Sequence, residues 1–215
     1  MLKIRNVLVN YLKKSVFYWK YRNFFQRKVW DNYLNDSNSP RRLIYKKFVK
    51  KYKLKSVFDF GCASGPNYFT LLSEIDFYFG FDISQSAINT IKRKIKYSSS
   101  NYFFTTNIQL FKEFLTINKL NKVDLAIYDR VLYLLSYKEV ENHFNCYGSF
   151  FKYVIIDDFY SENIVADNDN YLKTKNFIFL LKNFNLIEVK DSKFKPWNDF
   201  TKNYSKILIF KNKNK

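Results

Sequence analysis

The stretch 56–83 constrains this chain more than any other, because it sets a strand, a turn of small residues, a helix, a second strand and an acid in that order. Ser56-Val57-Phe58-Asp59-Phe60 reads as a short apolar strand, and Gly61-Cys62-Ala63-Ser64-Gly65-Pro66 as a tight turn. From Asn67 to Ile75 the residues Phe69, Leu71, Leu72 and Ile75 recur at helical spacing. Tyr78–Ile83 is a second apolar strand, with Asp82 at its carboxyl end and 17 residues past Gly65. A nucleotide-binding half has this order. Small residues let the backbone approach a ligand, and an acid at the end of the next strand accepts hydrogen bonds from ribose hydroxyls.

The glycine spacing selects among nucleotides. A dinucleotide fingerprint needs a glycine two residues after Gly61, where this chain has Ala63. No G-x-x-x-x-G-K-[ST] follows any strand, which excludes a P-loop. Asp59-Phe60-Gly61-Cys62-Ala63-Ser64-Gly65 instead resembles the D/E-x-G-x-G-x-G loop of class I S-adenosylmethionine-dependent methyltransferases. Asp82-Ile83-Ser84 resembles the acidic second motif of that family. The departure is Ala63, tolerable at negative φ but narrowing the slot by a methyl. The resemblance implies an α/β, Rossmann-like methyltransferase fold: a mostly parallel seven-stranded sheet with a closing antiparallel hairpin. It implies S-adenosylmethionine as cofactor, with Asp59, Gly61, Ala63, Gly65, Asp82 and Ile83 around it. An acid at Asp59 suits a ligand with an ammonium and a sulfonium, and would be misplaced against a pyrophosphate.

The later segments follow in the order the resemblance requires. Ser86–Tyr97 is a helix with Ile88, Ile91 and Ile95 inward and Lys92, Arg93, Lys94 and Lys96 outward. Tyr102–Asn107 is a third strand. The family often has an acid near the adenine amino group there, a role Asn107 fills through its side-chain oxygen. Val123–Asp129 resembles the family's fourth strand, Lys152–Asp157 is a fifth, and Asn185–Lys190 with Lys206–Lys211 form the hairpin.

A 215-residue chain with 47% hydrophobic residues can bury a full core. Two units are expected: a basic helical N-terminal cap over 1–55 and a cofactor-binding domain over 56–215. The first 55 residues hold 16 Lys or Arg against Asp31 and Asp36, a balance of +14 out of +18 for the chain. They are also rich in aromatics, among them Tyr11, Trp19, Phe24, Phe25, Trp30 and Tyr33. Such a segment can lie on anionic lipid or on an RNA backbone; equally, it can be a solvated cap packed on the core. In the family, the segment before the first strand commonly closes over the cofactor. Trp30-Asp31-Asn32-Tyr33 resembles the aromatic pattern found there, and by that resemblance Tyr33, with Arg41 or Arg42, reaches the methionine carboxylate. An i, i+3 packing pair is the alternative for Trp30 and Tyr33. Asn35–Pro40 and Asp167–Asn170 read as loops. Cys62 and Cys146 have neither metal-site nor disulfide spacing, and no apolar run spans a bilayer. The expectation is a cytoplasmic protein, peripheral at the membrane if the basic segment meets lipid.

A sulfonium methyl is already electrophilic. The protein must align an acceptor and, for a hydroxyl, remove its proton. The carboxyl ends of the fourth and fifth strands face that position, and carry Asp129-Arg130 and Asp157-Asp158-Phe159-Tyr160. Asp129 or Asp158 is the candidate base, with Tyr133 and Tyr160 as pocket walls and Asp129 also beside the cofactor. A turn or helix cap is the alternative for Asp157 and Asp158. Asp129 with Asp157 also suits the Mg²⁺ layout of catechol-type O-methyltransferases, an assignment not adopted because the glycine loop differs from that subgroup. His143, the only histidine, falls in a helix beyond the strand end and is left out of the site. No N-P-P-Y or D-P-P-Y segment follows the fourth strand and no Pro-Cys exists, which weakens base methylation. O-methylation of a small molecule or surface-glycan (saccharide) precursor leads. An RNA methyltransferase using the basic face, and a catalytically silent cofactor-binding scaffold, are the alternatives.

Overall fold

The computed structural model describes residues 16–22, 28–95, 100–167, 172–196 and 198–214. Seven strands form one sheet in the order β3-β2-β1-β4-β5-β7-β6. They are β1 Ser56–Phe60, β2 Phe77–Phe81, β3 Tyr102–Thr105, β4 Val123–Asp129, β5 Phe151–Phe159, β6 Phe184–Asp191 and β7 Ser205–Asn212. The first five are parallel to their neighbours, whereas β7 runs antiparallel to both β5 and β6. The expected mostly parallel sheet with a closing hairpin is therefore the observed one.

Nine α-helices occur among the described residues: α1 Val16–Lys20, α2 Val29–Leu34, α3 Pro40–Tyr52, α4 Pro66–Leu71, α5 Gln85–Lys94, α6 Leu110–Ile117, α7 Tyr137–Tyr147, α8 Phe177–Leu180 and α9 Asp199–Tyr204. The central strands are apolar on both sides because both faces are covered. One face packs Phe58, Phe79, Tyr128, Val154 and Ile156 against α6 and α7. The other packs Val57, Tyr78, Ile127 and Ile155 against α3, α4 and α5 through Tyr45, Val49, Tyr68 and Ile91. Among the described residues no helix is long and apolar enough to cross a membrane.

Four boundaries differ from expectation. Asn35–Asn38 is a 3₁₀ turn running into α3 at Pro40, whose fixed φ suits the first helical position. α4 ends at Leu71, where a turn begins, rather than at Ile75. α5 starts on Ser84, whose hydroxyl accepts from Ala87 N, and ends at Lys94; Lys96 and Tyr97 lie outside the described residues. β5 runs on to Phe159 because β7 pairs with it there, Asp157 opposite Ile207 and Asp158 opposite Lys206. Both acids are thus inside a strand, and not beyond its end.

Candidate cofactor cleft and acceptor site

The strand order reverses between β1 and β4. A cavity of about 560 Å³ opens at their carboxyl ends, where open α/β sheets bind ligands. Its floor is the turn after β1, the ends of β2 and β4, and the segment 130–135. The described part of the first 55 residues closes it from above with Arg22, Trp30, Tyr33, Arg41 and Arg42. Trp30 and Tyr33 do both things expected of them: their rings pack 5.7 Å apart on α2, and both line the cavity. Trp30 Nε1 donates to Ser86 Oγ at 2.7 Å and Arg22 Nη1 donates to Tyr33 Oη at 2.8 Å, tying the roof to α5 and to itself.

On the β2 side, Asp82 lines the cavity. Its Oδ2 accepts from Ala63 N at 2.9 Å and its Oδ1 from Ser84 N at 2.8 Å. Burial pushes this carboxyl up to about 6, against the opposing pull of the two amides. Ile83 lines the cavity beside it. Gly61 turns the chain out of β1 at φ 76°, where a Cβ would lie 2.7 Å from Val131 Cγ2. Ala63 sits at φ 49°, so the negative φ expected for an alanine there is not what the turn uses. The left-handed conformation aims Ala63 N at Asp82, and that bond offsets the strain.

Three residues expected at the cofactor stand elsewhere. Asp59 is fully buried behind the turn, where Tyr78 Oη and Asn67 Nδ2 donate to it, and burial pushes it up to about 7. It points into the core between α4 and β2 and does not line the cavity. Gly65 at φ 85° faces α5: a Cβ would meet Ile91 Cδ1 at 1.9 Å, so its role is close helix approach and not an open path for ligand. Asn107 is exposed beyond β3, its Oδ1 accepting from Gln109 N at 3.0 Å.

On the β4 side, an ionic cluster fills the floor. Arg42, 2% exposed, donates through Nε to Asn67 Oδ1 at 2.8 Å and through Nη2 to Asp129 Oδ2 at 2.9 Å, and its Nη1 pairs with Asp36. Arg41 pairs with the other oxygen of Asp129 and, at 2.9 Å, with Asp36 Oδ2. Asp157 is fully buried and accepts from Tyr45 Oη at 2.6 Å. Burial raises the Asp129 carboxyl, but Arg41 and Arg42 outweigh it and hold the group below the ordinary carboxylate range. Asp129 is an anchored anion and a poor base, contrary to expectation. Asp158 is fully buried too. Its Oδ2 accepts from Tyr133 N at 3.0 Å and its Oδ1 from Phe159 N at 2.8 Å, with Lys175 nearby, so it pins the 131–135 segment and does not line the cavity. The turn-cap alternative is the one that holds for Asp158. Tyr133 does line the cavity, whereas Tyr160 does not.

The Mg²⁺ layout finds no support. Asp129 is held by Arg41 and Arg42, Asp157 lies 3.5 Å from Arg41 and 3.2 Å from Arg130, and no group of three or more candidate ligands occurs among the described residues. His143 is a packing residue: its Nε2 lies 2.7 Å from Tyr128 Oη, and burial pushes it down to about 4.

Sequence reasoning missed Arg22, Asp36 and Arg130 as wall residues. Arg130 follows Asp129 in the sequence, but its left-handed φ of 58°, which turns it back over β5, has no signature in the residue type.

No family model and no curated protein matches the sequence. Solved structures do. The plantazolicin methyltransferase BamL, in complex with a triazolic desmethyl analogue and S-adenosylhomocysteine, matches at TM-score 0.64 and 15% identity over 100% of this chain and 99% of that one. Magnesium protoporphyrin IX methyltransferase from Synechocystis PCC 6803 with bound S-adenosylmethionine matches at 0.61 and 16% over 95% of each chain. The N-methyltransferase NodS from Bradyrhizobium japonicum WM9 matches at 0.58 and 13% over 81% of this chain and 98% of that one. With the strand order and the Gly61–Asp82 cradle, these likenesses establish that the chain has the fold of the class I S-adenosylmethionine-dependent methyltransferases.

Proposed function

We propose that the protein is an S-adenosylmethionine-dependent methyltransferase acting on oxygen, with a small molecule or saccharide precursor as acceptor and residues 1–55 as the cap of the cleft. The observation that carries the cofactor reading is Asp82. A carboxylate at the end of β2, fixed by two backbone amides and still lining the cavity, is built to receive a pair of hydroxyls. The surrounding residues fit the rest of that cofactor. Trp30 and Tyr33 offer aromatic faces above the turn, and Arg41 and Arg42 offer guanidinium groups to its carboxylate. When bound, the cofactor supplies an electrophilic methyl group. The chain's own residues bind it, orient the acceptor beside Arg130 and Tyr133, and exclude water beneath the α2 roof.

Calorimetry tests this reading. S-adenosylhomocysteine should bind the wild type saturably. Asp82→Ala should weaken binding by about 1.5–3 kcal/mol, the range for lost hydrogen bonds to a charged group. An equal affinity in the two proteins sinks the assignment.

A further inference from the structure

Among the described residues, the β4 side of the cleft contains arginines and no carboxylate free to take a proton. Asp129 is shared between two guanidinium groups, Asp157 is closed off by Tyr45, and Asp158 is closed off by two backbone amides. His143 is buried against Tyr128 in the core and does not line the cavity. Asp82 stands across the cleft, at the end of β2. A hydroxyl acceptor would find no partner on this side for the proton it must lose.

Arg130 is the counterpart of that absence. Its side chain is 11% exposed and lines the cavity. Nη2 donates to Ser192 Oγ at 3.2 Å and lies 3.2 Å from Asp157 Oδ1. Nε and Nη1 have no hydrogen-bond partner among the described residues. The rings of Phe194 and Phe159 hold the guanidinium in place, with centroids 4.3 and 4.8 Å from its carbon. Two spare N–H groups on one edge of a fixed, planar cation match the two oxygens of a carboxylate. The wall beyond it is apolar: Val131, Leu134 and Leu135, with the ring of Tyr133. Among the described residues, four arginines face three aspartates across the cavity.

We infer that the methyl acceptor is an apolar carboxylic acid, bound as its carboxylate at Nε and Nη1 of Arg130; this rests on the methyltransferase reading above. A carboxylate oxygen needs no base at neutral pH. As its lone pair forms the bond to the methyl carbon, the carbon–sulfur bond breaks onto sulfur. The negative charge on oxygen and the positive charge on sulfur cancel, and the products are a methyl ester and a neutral thioether with no proton moved. The absence of a base beside Arg130 and the spare donors on it then have one explanation.

The test uses the full chain saturated with S-adenosylhomocysteine and two probes of equal shape, benzoate and benzamide. Calorimetry should show benzoate binding at least about tenfold more tightly than benzamide, as expected for a charge-assisted pair. Arg130→Gln should remove that preference while S-adenosylhomocysteine still binds, which also shows that the variant folds. Independently of any variant, methyl groups transferred by the wild type from labelled S-adenosylmethionine to benzoate or phenylacetate should be released as methanol in mild alkali, as esters are and ethers are not. Benzamide binding as well as benzoate, no benzoate binding to the loaded protein, or an alkali-stable product overturns the inference. Failure of the wild type to bind S-adenosylhomocysteine is a different result, and overturns the methyltransferase reading beneath it.

Discussion

The two sides of the cleft treat their carboxylates in opposite ways. At the end of β2, Asp82 is held by backbone amides and lines the cavity, so its remaining lone pairs are available to a ligand. At the ends of β4 and β5, Asp129 and Asp157 are consumed by side chains, with Arg41, Arg42 and Tyr45 already in place. An acid presented by backbone is a receptor, and an acid paired with buried arginines is scaffolding. The same residue type at the same end of the same sheet therefore has two meanings. What separates them is the partner, which comes from α3, some 90 residues away in the chain in the case of Asp129.

The largest effect should come from breaking the scaffolding. Arg42→Met removes the cation that Asp129 and Asp36 share and strands a buried carboxylate. Losing one partner of a buried pair costs about 3–5 kcal/mol, read as a lower midpoint in urea unfolding. A loss under about 1 kcal/mol would mean that the cluster is not assembled as described, and the contrast between the two sides would collapse.

Next comes the turn. Gly65→Val drives a side chain into Ile91 and forces a branched residue to φ 85°. Overpacking costs about 1–3 kcal/mol and a non-glycine residue in that backbone region about 1–3 more. The double variant Gly65→Val with Ile91→Ala should recover the overpacking part and none of the backbone part. If the single variant keeps full stability and loses only cofactor affinity, Gly65 guards the ligand path after all, and its assignment to helix packing is wrong.

How much of this was legible beforehand follows from where each cause lies. The strand-turn-helix-strand-acid order is local, so β1, the turn, β2 and Asp82 could be read from 28 consecutive residues, 56–83. The hairpin was legible too, because β6 and β7 alternate and carry their own turn signals. The extension of β5 through Asp158 was not, because it depends on the ladder with β7. Asp59 illustrates the same limit inside the legible half. The motif fixed its position, yet Tyr78 and Asn67, 19 and 8 residues on, take its oxygens and turn it from ligand into core.

That residue sharpens the comparison at moderate magnitude. Asp59 is raised to about 7 by burial, so the fold binds its proton more tightly than the unfolded chain does. The sign follows. Its contribution is full below the ordinary carboxyl pKa of 3.8 and is lost as pH rises towards 7. Asp59→Asn should therefore gain stability relative to the wild type between pH 4 and pH 8, at about 1.4 kcal/mol per unit of the shift it removes. S-adenosylhomocysteine affinity should change far less than in Asp82→Ala. A loss of affinity equal to that of Asp82→Ala would put Asp59 back at the ligand.

The smallest expected effect lies on the basic surface. Lys28, Lys92 and Arg93 line a shallow depression outside the cleft, across Trp30 from Asp82. Of the basic residues singled out at the amino terminus, Lys13, Lys14 and Arg27 lie outside the described residues, whereas Lys28 is among them and exposed. Lys28 stands at φ 59°, so Lys28→Asn keeps a residue type that tolerates that backbone. Combined with Lys92→Gln and Arg93→Gln, it should change unfolding free energy by no more than about 0.5 kcal/mol per site. Methyl transfer to a small carboxylic acid should be unaffected, because none of the three lines the cleft. Filter binding with a structured RNA decides whether this surface does more. If the acceptor were RNA, retention would fall linearly with salt on logarithmic axes, and the triple variant would flatten the slope by about 0.9 for each phosphate it no longer neutralises. A flat, salt-insensitive signal in both proteins leaves the basic residues as a solvated roof. A steep wild-type slope that the variant flattens, with turnover abolished alongside it, would move the acceptor from the cleft's arginine floor to a nucleic-acid chain laid across its rim.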